Sequence, residues 1–140
     1  MGNHISWDVA LIVESGKFSL SDLATRLERN PQSGSHDKGT PRFRGLLWER
    51  TYWRENARKP DAPLQQQCWQ VLEDMPPKCS ELIAAEPDDV SIYLCIAGFF
   101  ETAYFSLILP HELIRDLSAK GVGLEIVGYP CGSDEACPSQ

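Results

Sequence analysis

His4-Ile-Ser-Trp-Asp-Val-Ala-Leu-Ile-Val-Glu14, followed after Ser15-Gly16-Lys17 by Ser19-Leu-Ser-Asp-Leu-Ala-Thr-Arg-Leu27, is the stretch on which the fold turns. In its first half Ile5, Trp7, Val9, Leu11 and Val13 alternate with Ser6, Asp8, Ala10, Ile12 and Glu14. That period of two is expected of a strand with one buried face. In its second half Leu20, Leu23, Ala24 and Leu27 recur at i, i+3, i+4 and i+7, the stripe of an amphipathic helix. Ser19 with Asp22 three residues later has the form of a capping box, and Asn30-Pro31 ends the helix.

Outward from this unit, Gln32–Arg44 holds Gly34, Gly39 and Pro41 and reads as a loop. Gly45–Trp53 predicts a strand whose buried side is either Leu46, Trp48 and Arg50 or Leu47, Glu49 and Thr51. Asn56–Ala62 is a second loop. Pro63 opens a helix carrying Leu64, Cys68, Val71, Leu72 and Met75. Pro76-Pro77 breaks it, and a further turn through Cys79, Leu82 and Ile83 ends before Pro87.

Val90, Ile92, Leu94 and Ile96 alternate in a strand, and Gly98–Thr102 is expected to turn the chain into a second strand at Ala103–Leu109. Pro110 opens a helix with Leu113, Ile114 and Leu117, which Gly121 stops, and Val122–Tyr129 is the last strand. The order β-α-β-α-β-β-α-β predicts an α+β protein: a single mostly antiparallel or mixed sheet of about five strands, with helices packed on one face. The expected core comprises Trp7, Val9, Leu11, Leu23, Leu27, Val71, Leu72, Ile92, Leu94, Leu113, Leu117 and Ile126.

The 140 residues fit one domain over 1–130 with a polar tail at 131–140. No 18-residue apolar run predicts a membrane span, and the first six residues lack the basic and apolar regions of a secretory leader, so a cytoplasmic protein is expected. Five cysteines, an odd number without repeated spacing, do not form a disulfide framework. Cys95 lies in an apolar run and reads as a small core residue. Cys131 and Cys137 in the tail are spaced so that they could bridge, but a bridge there would be labile in a reducing compartment. His4, His36 and His111 are scattered singly, so neither a metal site nor a cofactor is expected.

Charge is divided unevenly. Residues 1–59 carry 10 basic and 7 acidic side chains, and residues 60–140 carry 3 and 13, giving +3 against −10. A net-acidic chain repels phosphate, so no direct nucleic-acid binding is expected, but it suits a basic protein partner. The stretch His36–Lys59 interleaves 7 of the 13 basic residues with Phe43, Trp48, Tyr52 and Trp53. The simplest reading is structural, with Trp48 in the core and Arg50 and Arg54 covering it or pairing with acids of the other half. Asp88 and Asp89 are adjacent, so on a strand they point apart and make a poor acid–base pair. Neither a G-x-S-x-G elbow nor a glycine-rich phosphate loop occurs. A pairing of Cys95 with His111 is left open by the sequence. The chain is expected not to be an enzyme.

The first strand, the Leu-rich helix, Asn30-Pro31, the glycine of His36-Asp-Lys-Gly39, Leu47-Trp48 and the block Tyr104-Phe-Ser-Leu-Ile-Leu-Pro-His-Glu-Leu-Ile-Arg-Asp-Leu117 together resemble a small bacterial family, domain of unknown function 4279. The resemblance runs from Ser6 to Tyr129. It implies a stand-alone cytoplasmic protein of the kind found among toxin-neutralising immunity proteins. The arginine- and aromatic-rich stretch and the cysteine-containing tail depart from the family pattern.

On that resemblance the expected partner is a cognate toxin domain of basic character. Glu73, Asp74, Glu86, Asp88, Asp89 and Glu101 are the candidate contacts, and Trp48, Arg50, Trp53 and Arg54 the alternative surface. A small-ligand or peptide-binding regulatory domain is the alternative function.

Overall fold

Alternation in the first strand is realised over eleven residues, Ile5–Ser15 (β1), and β1 is paired along both edges. The computed structural model describes residues 5–101 and 104–131. β2 (Thr51–Asn56) and β3 (Ser91–Phe100) flank β1, both antiparallel to it, and β4 (Gly123–Pro130) lies parallel to β3. The sheet order is β2-β1-β3-β4, so among the described residues the sheet is open, mixed and four-stranded.

Four α-helices complete the described chain: α1 (Leu20–Leu27), α2 (Leu64–Glu73), α3 (Cys79–Ala85) and α4 (His111–Ala119). Their buried residues Leu23, Leu27, Val71, Leu82, Leu113 and Leu117 join Val9, Leu11 and Val13 of β1, Trp53 of β2 and Leu94 and Ile96 of β3 in one cluster. All four helices therefore cover the same face of the sheet. Residues of opposite parity, Ala10, Ile12 and Cys95, form a separate small cluster with Tyr52 and Tyr93 on the other face.

Local chemistry sets the helix ends. The Ser19 hydroxyl accepts from the Asp22 amide at 3.1 Å, and the Asp22 carboxylate accepts from the Ser19 amide at 3.3 Å, completing the capping box. α4 stops at Gly121, whose φ of +70° is left-handed. There the Gly121 amide donates to the Ser118 carbonyl and the Val122 amide to the Leu117 carbonyl, the paired bonds of a Schellman ending. Pro76-Pro77 separates α2 from α3 as the sequence predicts.

The structure differs from expectation in three places. First, the described residues hold four strands, and no hairpin follows β3. β3 continues through Gly98 to Phe100, and both its edges are filled, by β1 and by β4. No edge of β3 is left to receive a strand from 104–109. The alternation there has another cause: the segment is an extended strap crossing the helix-bearing face with one side down. Phe105 meets Trp7 and Phe100 at 5.7 and 4.7 Å between ring centroids, and Leu109 packs on the main core. Thr102 and Ala103, assigned to that turn and strand, lie outside the described residues, as does Cys137.

Second, the strand expected at Gly45–Trp53 is displaced to Thr51–Asn56, and its buried side is Thr51, Trp53 and Glu55. Residues 39–48 instead fold back on themselves as a finger. Third, Ile126, expected in the core, is 47% exposed because β4 is the edge strand.

Leu23 is wholly buried between α1 and the sheet. Leu23→Ala is therefore expected to lower stability by about 2–5 kcal/mol in urea denaturation, by lost transfer energy and the cavity left behind. Glu28 ends α1 in the left-handed region with φ 56°. Glu28→Gly should raise stability by about 1 kcal/mol in the same assay, since glycine takes that conformation without steric cost.

Candidate binding face

The six acids singled out in the sequence are not brought together. Glu73 and Asp74 close α2, Glu86, Asp88 and Asp89 lie between α3 and β3, and Glu101 follows β3. The ten residues of β3 place Glu101 about 30 Å from Asp88 and Asp89. Three of the six are spent inside the protein. Asp74 pairs with Arg58 at 2.5 Å, Glu86 with Lys17 at 2.6 Å, and Asp89 with Arg50 at 3.9 Å. Each of these cations belongs to the basic N-terminal half, so part of the charge asymmetry of the sequence is neutralised internally. Glu73, Asp88 and Glu101 are exposed and enter no ion pair among the described residues.

Asp89 is a structural anchor. Its carboxylate accepts from the Ser15 hydroxyl at 2.5 Å and the Gly16 amide at 2.9 Å, while the buried Ser15 oxygen accepts from the amides of Lys17 and Phe18. Burial pushes the Asp89 carboxyl upward, but these hydrogen bonds and Arg50 outweigh it and hold it below its ordinary value.

The alternative surface is reshaped more strongly. Trp53 is wholly buried, its indole N–H donating to the Arg29 carbonyl at 3.2 Å, and it presents nothing to a partner. Trp48 is not core. Its ring stacks on His36 at 4.3 Å, carries the Arg42 guanidinium 4.3 Å from its centroid, and meets Tyr52 edge-on at 5.0 Å. The finger positions it: Gly39 and Thr40 exchange backbone hydrogen bonds with Trp48, and Arg42 binds Leu46 around a turn at Phe43–Gly45. His36 in turn is bonded both ways to Tyr52, which fixes the loop against the outer edge of β2.

Trp48 and Arg54 belong to the wall of a concavity of about 610 Å³ on the helix-free face of the sheet. The floor is made by residues of β1 and β3 that point away from the helices. Asp8 pairs with Arg54 at 2.9 Å. Glu14 contacts Arg50 at 2.6 Å, an ion pair whose angle is poor for a hydrogen bond, and accepts from the Tyr93 hydroxyl at 3.0 Å. Phe99 and Tyr129, stacked at 5.0 Å, form the far wall. Glu125 of β4 completes the lining, and among the described residues it enters no ion pair.

Asp8, Glu14, Tyr93 and Glu125 were not identified as site residues from the sequence. The available signal was polar or acidic residues at the positions of β1 and β4 that alternate with core positions.

Reactive groups are held in their neutral forms. Burial, then a hydrogen bond and charge repulsion from Glu14, raises the Tyr93 phenol far above its ordinary value. Burial pushes the Cys68 thiol up to about 11 and the Cys79 and Cys95 thiols up to about 12, the last helped by Glu125. A thiol so raised is a poor nucleophile at neutral pH. Cys95 lies on the helix-free face and His111 on α4 across the sheet, so the pairing left open by the sequence does not form. Cys131 is disulfide-bonded and buried against Ala97 and Phe99.

No protein-family model, curated protein or solved structure matches this chain.

Asp89→Asn removes the charge that orders the turn after β1. It is expected to cost about 1.5–3 kcal/mol at neutral pH, the range for hydrogen bonds to a charged group. Because the folded carboxyl is depressed, its contribution is present above the unfolded value of about 3.9 and is lost as pH falls through the folded one. Denaturation curves of variant and wild type should therefore converge in that acid range.

Proposed function

We propose that this chain is a non-enzymatic immunity protein of the bacterial cytoplasm that binds and neutralises a basic toxin domain through the helix-free face of its sheet. The observation that carries the reading is Glu125, a carboxylate without a cationic partner among the described residues, set in a concave face that also holds the stacked rings of Phe99 and Tyr129 and a Trp48 ring already covered by Arg42. Aromatic rings and an unneutralised carboxylate suit a lysine or arginine side chain of a partner protein. The net charge of −7 adds long-range attraction to a basic partner and disfavours nucleic acid. The resemblance to domain of unknown function 4279 supplies the biological setting. Among the described residues no helix is long and apolar enough to cross a membrane.

The same concavity favours one second reading, a small-ligand or peptide-binding regulatory domain. Its volume of about 610 Å³ falls within the usual range of ligand pockets.

Co-expression with the toxin encoded beside the gene tests the first reading: growth should be rescued by the wild-type chain. Glu125→Lys should slow association with the purified toxin and reduce rescue, whereas Glu73→Lys, on the α2 end far from this face, should leave both unchanged. Failure of a cognate pair to show rescue, together with saturable binding of a small molecule that Glu125→Lys abolishes, decides for the second reading.

A further inference from the structure

The two outer edges of the sheet are treated differently. Along β2 the chain covers its own edge: Gln32 donates to the Arg54 carbonyl, and His36 exchanges both backbone bonds with Tyr52. Along β4 nothing among the described residues pairs with the outer edge. Of the usual devices that blunt an edge β4 carries a single charge, Glu125. Gly-Leu-Glu-Ile-Val-Gly-Tyr-Pro holds no lysine or arginine, its proline is the last residue, and its register with β3 runs without a bulge from Gly123 to Pro130.

Apolar surface gathers at the same place. Of nine exposed large apolar side chains, six lie in residues 104–129, including Leu124 and Ile126 on β4 itself and Ile108 and Ile114 on the strap and helix that precede it. An unpaired edge with one charge and mostly apolar neighbours is a template for another strand.

The geometry points to a second copy of this chain as its occupant, the two β4 strands pairing antiparallel about a two-fold axis through Ile126. In that register Ile126 opposes its own copy, Leu124 opposes Gly128, and Glu125 opposes Val127. Opposed residues then lie on the same face, so the helix layers of both copies stay on one side of a continuous eight-stranded sheet. Gly128 has no side chain to clash with the incoming leucine, and Phe105, which roofs Gly128, offers it an apolar contact. The two Glu125 carboxylates are offset along the strands and do not meet head-on.

Size sets the strength. A strand about 27 Å long with a sheet-and-helix depth of about 20 Å gives a footprint on the order of 500 Å² per copy, below the ~800 Å² of a standard interface. The dimer is therefore weak and concentration-dependent. Each copy carries −7, so salt that screens their repulsion favours it.

Sedimentation velocity of the full chain over a concentration series, at low and high salt, tests this. The dimer fraction should rise with both, and Ile126→Lys, at a half-exposed position, should abolish it while the circular dichroism spectrum stays unchanged. On mild oxidation Ile126→Cys should cross-link to its own copy, whereas Val127→Cys, held about 7–8 Å from its copy on the diagonal, should not. Three outcomes overturn the inference: a monomer under every condition, equal cross-linking of the two cysteine variants, or strong hydrogen-exchange protection of the β4 amides in dilute monomer. The last would mean that the chain's own residues cover the edge.

Discussion

Everything in this structure depends on β1 being paired along both edges and buried on both faces, in the main helix-covered core on one and in a small cluster with Cys95, Tyr52 and Tyr93 on the other. Val9, Leu11 and Val13 share one core cluster with residues of all four helices and with Leu94 and Ile96 of β3. Placing all helices there leaves the opposite face without a helix layer, its Ala10, Ile12 and Cys95 buried in a small cluster with Tyr52 and Tyr93. That face must remain compatible with water, and its residues meet the requirement by local neutralisation: Asp8 with Arg54, Glu14 with Arg50 and Tyr93, and small or aromatic side chains between them. The face proposed for binding is thus what remains after the main core has been satisfied.

The charge division of the sequence is a folding device as much as a recognition one. Lys17, Arg50 and Arg58 of the basic half neutralise Glu86, Asp89 and Asp74 of the acidic half, and Lys78 returns the favour to Glu28. Most of these pairs are partly exposed and each is worth little on its own. Asp89 is the exception, since it also satisfies the Ser15–Lys17 turn through hydrogen bonds at 2.5 and 2.9 Å. An acidic run read from sequence says nothing about whether its charges face solvent or other parts of the same chain.

What was legible was local. The capping box at Ser19, the helix stop at Gly121 and the break at Pro76-Pro77 are each decided within a few residues, and the structure has them where the spacing puts them. What was not legible depends on distant pairing. Trp48 and Trp53 are five residues apart in a stretch rich in both arginine and aromatics. Only the closing of the 39–48 finger and the bridge from His36 to Tyr52 decides that Trp53 is core and Trp48 surface. The alternation at 104–109 was real, yet an extended strap and a strand share the same period. Whether an edge of β3 remained open to receive it is a property of the whole sheet.

The same non-local logic explains why Glu125 escaped notice and why it matters. Within Leu124-Glu125-Ile126-Val127 it reads as one polar residue in an apolar strand, consistent with any half-buried edge. Parallel pairing to β3 sets it opposite Cys95 on the helix-free face, and it enters no ion pair with the arginines that neutralise Asp8 and Glu14. The basic half of the chain supplies its cations from β2 and the loops around it, and β4 is two strands removed from β2. Sheet order therefore leaves the carboxylate of β4 without an internal partner. The proposed function would set an external cation there.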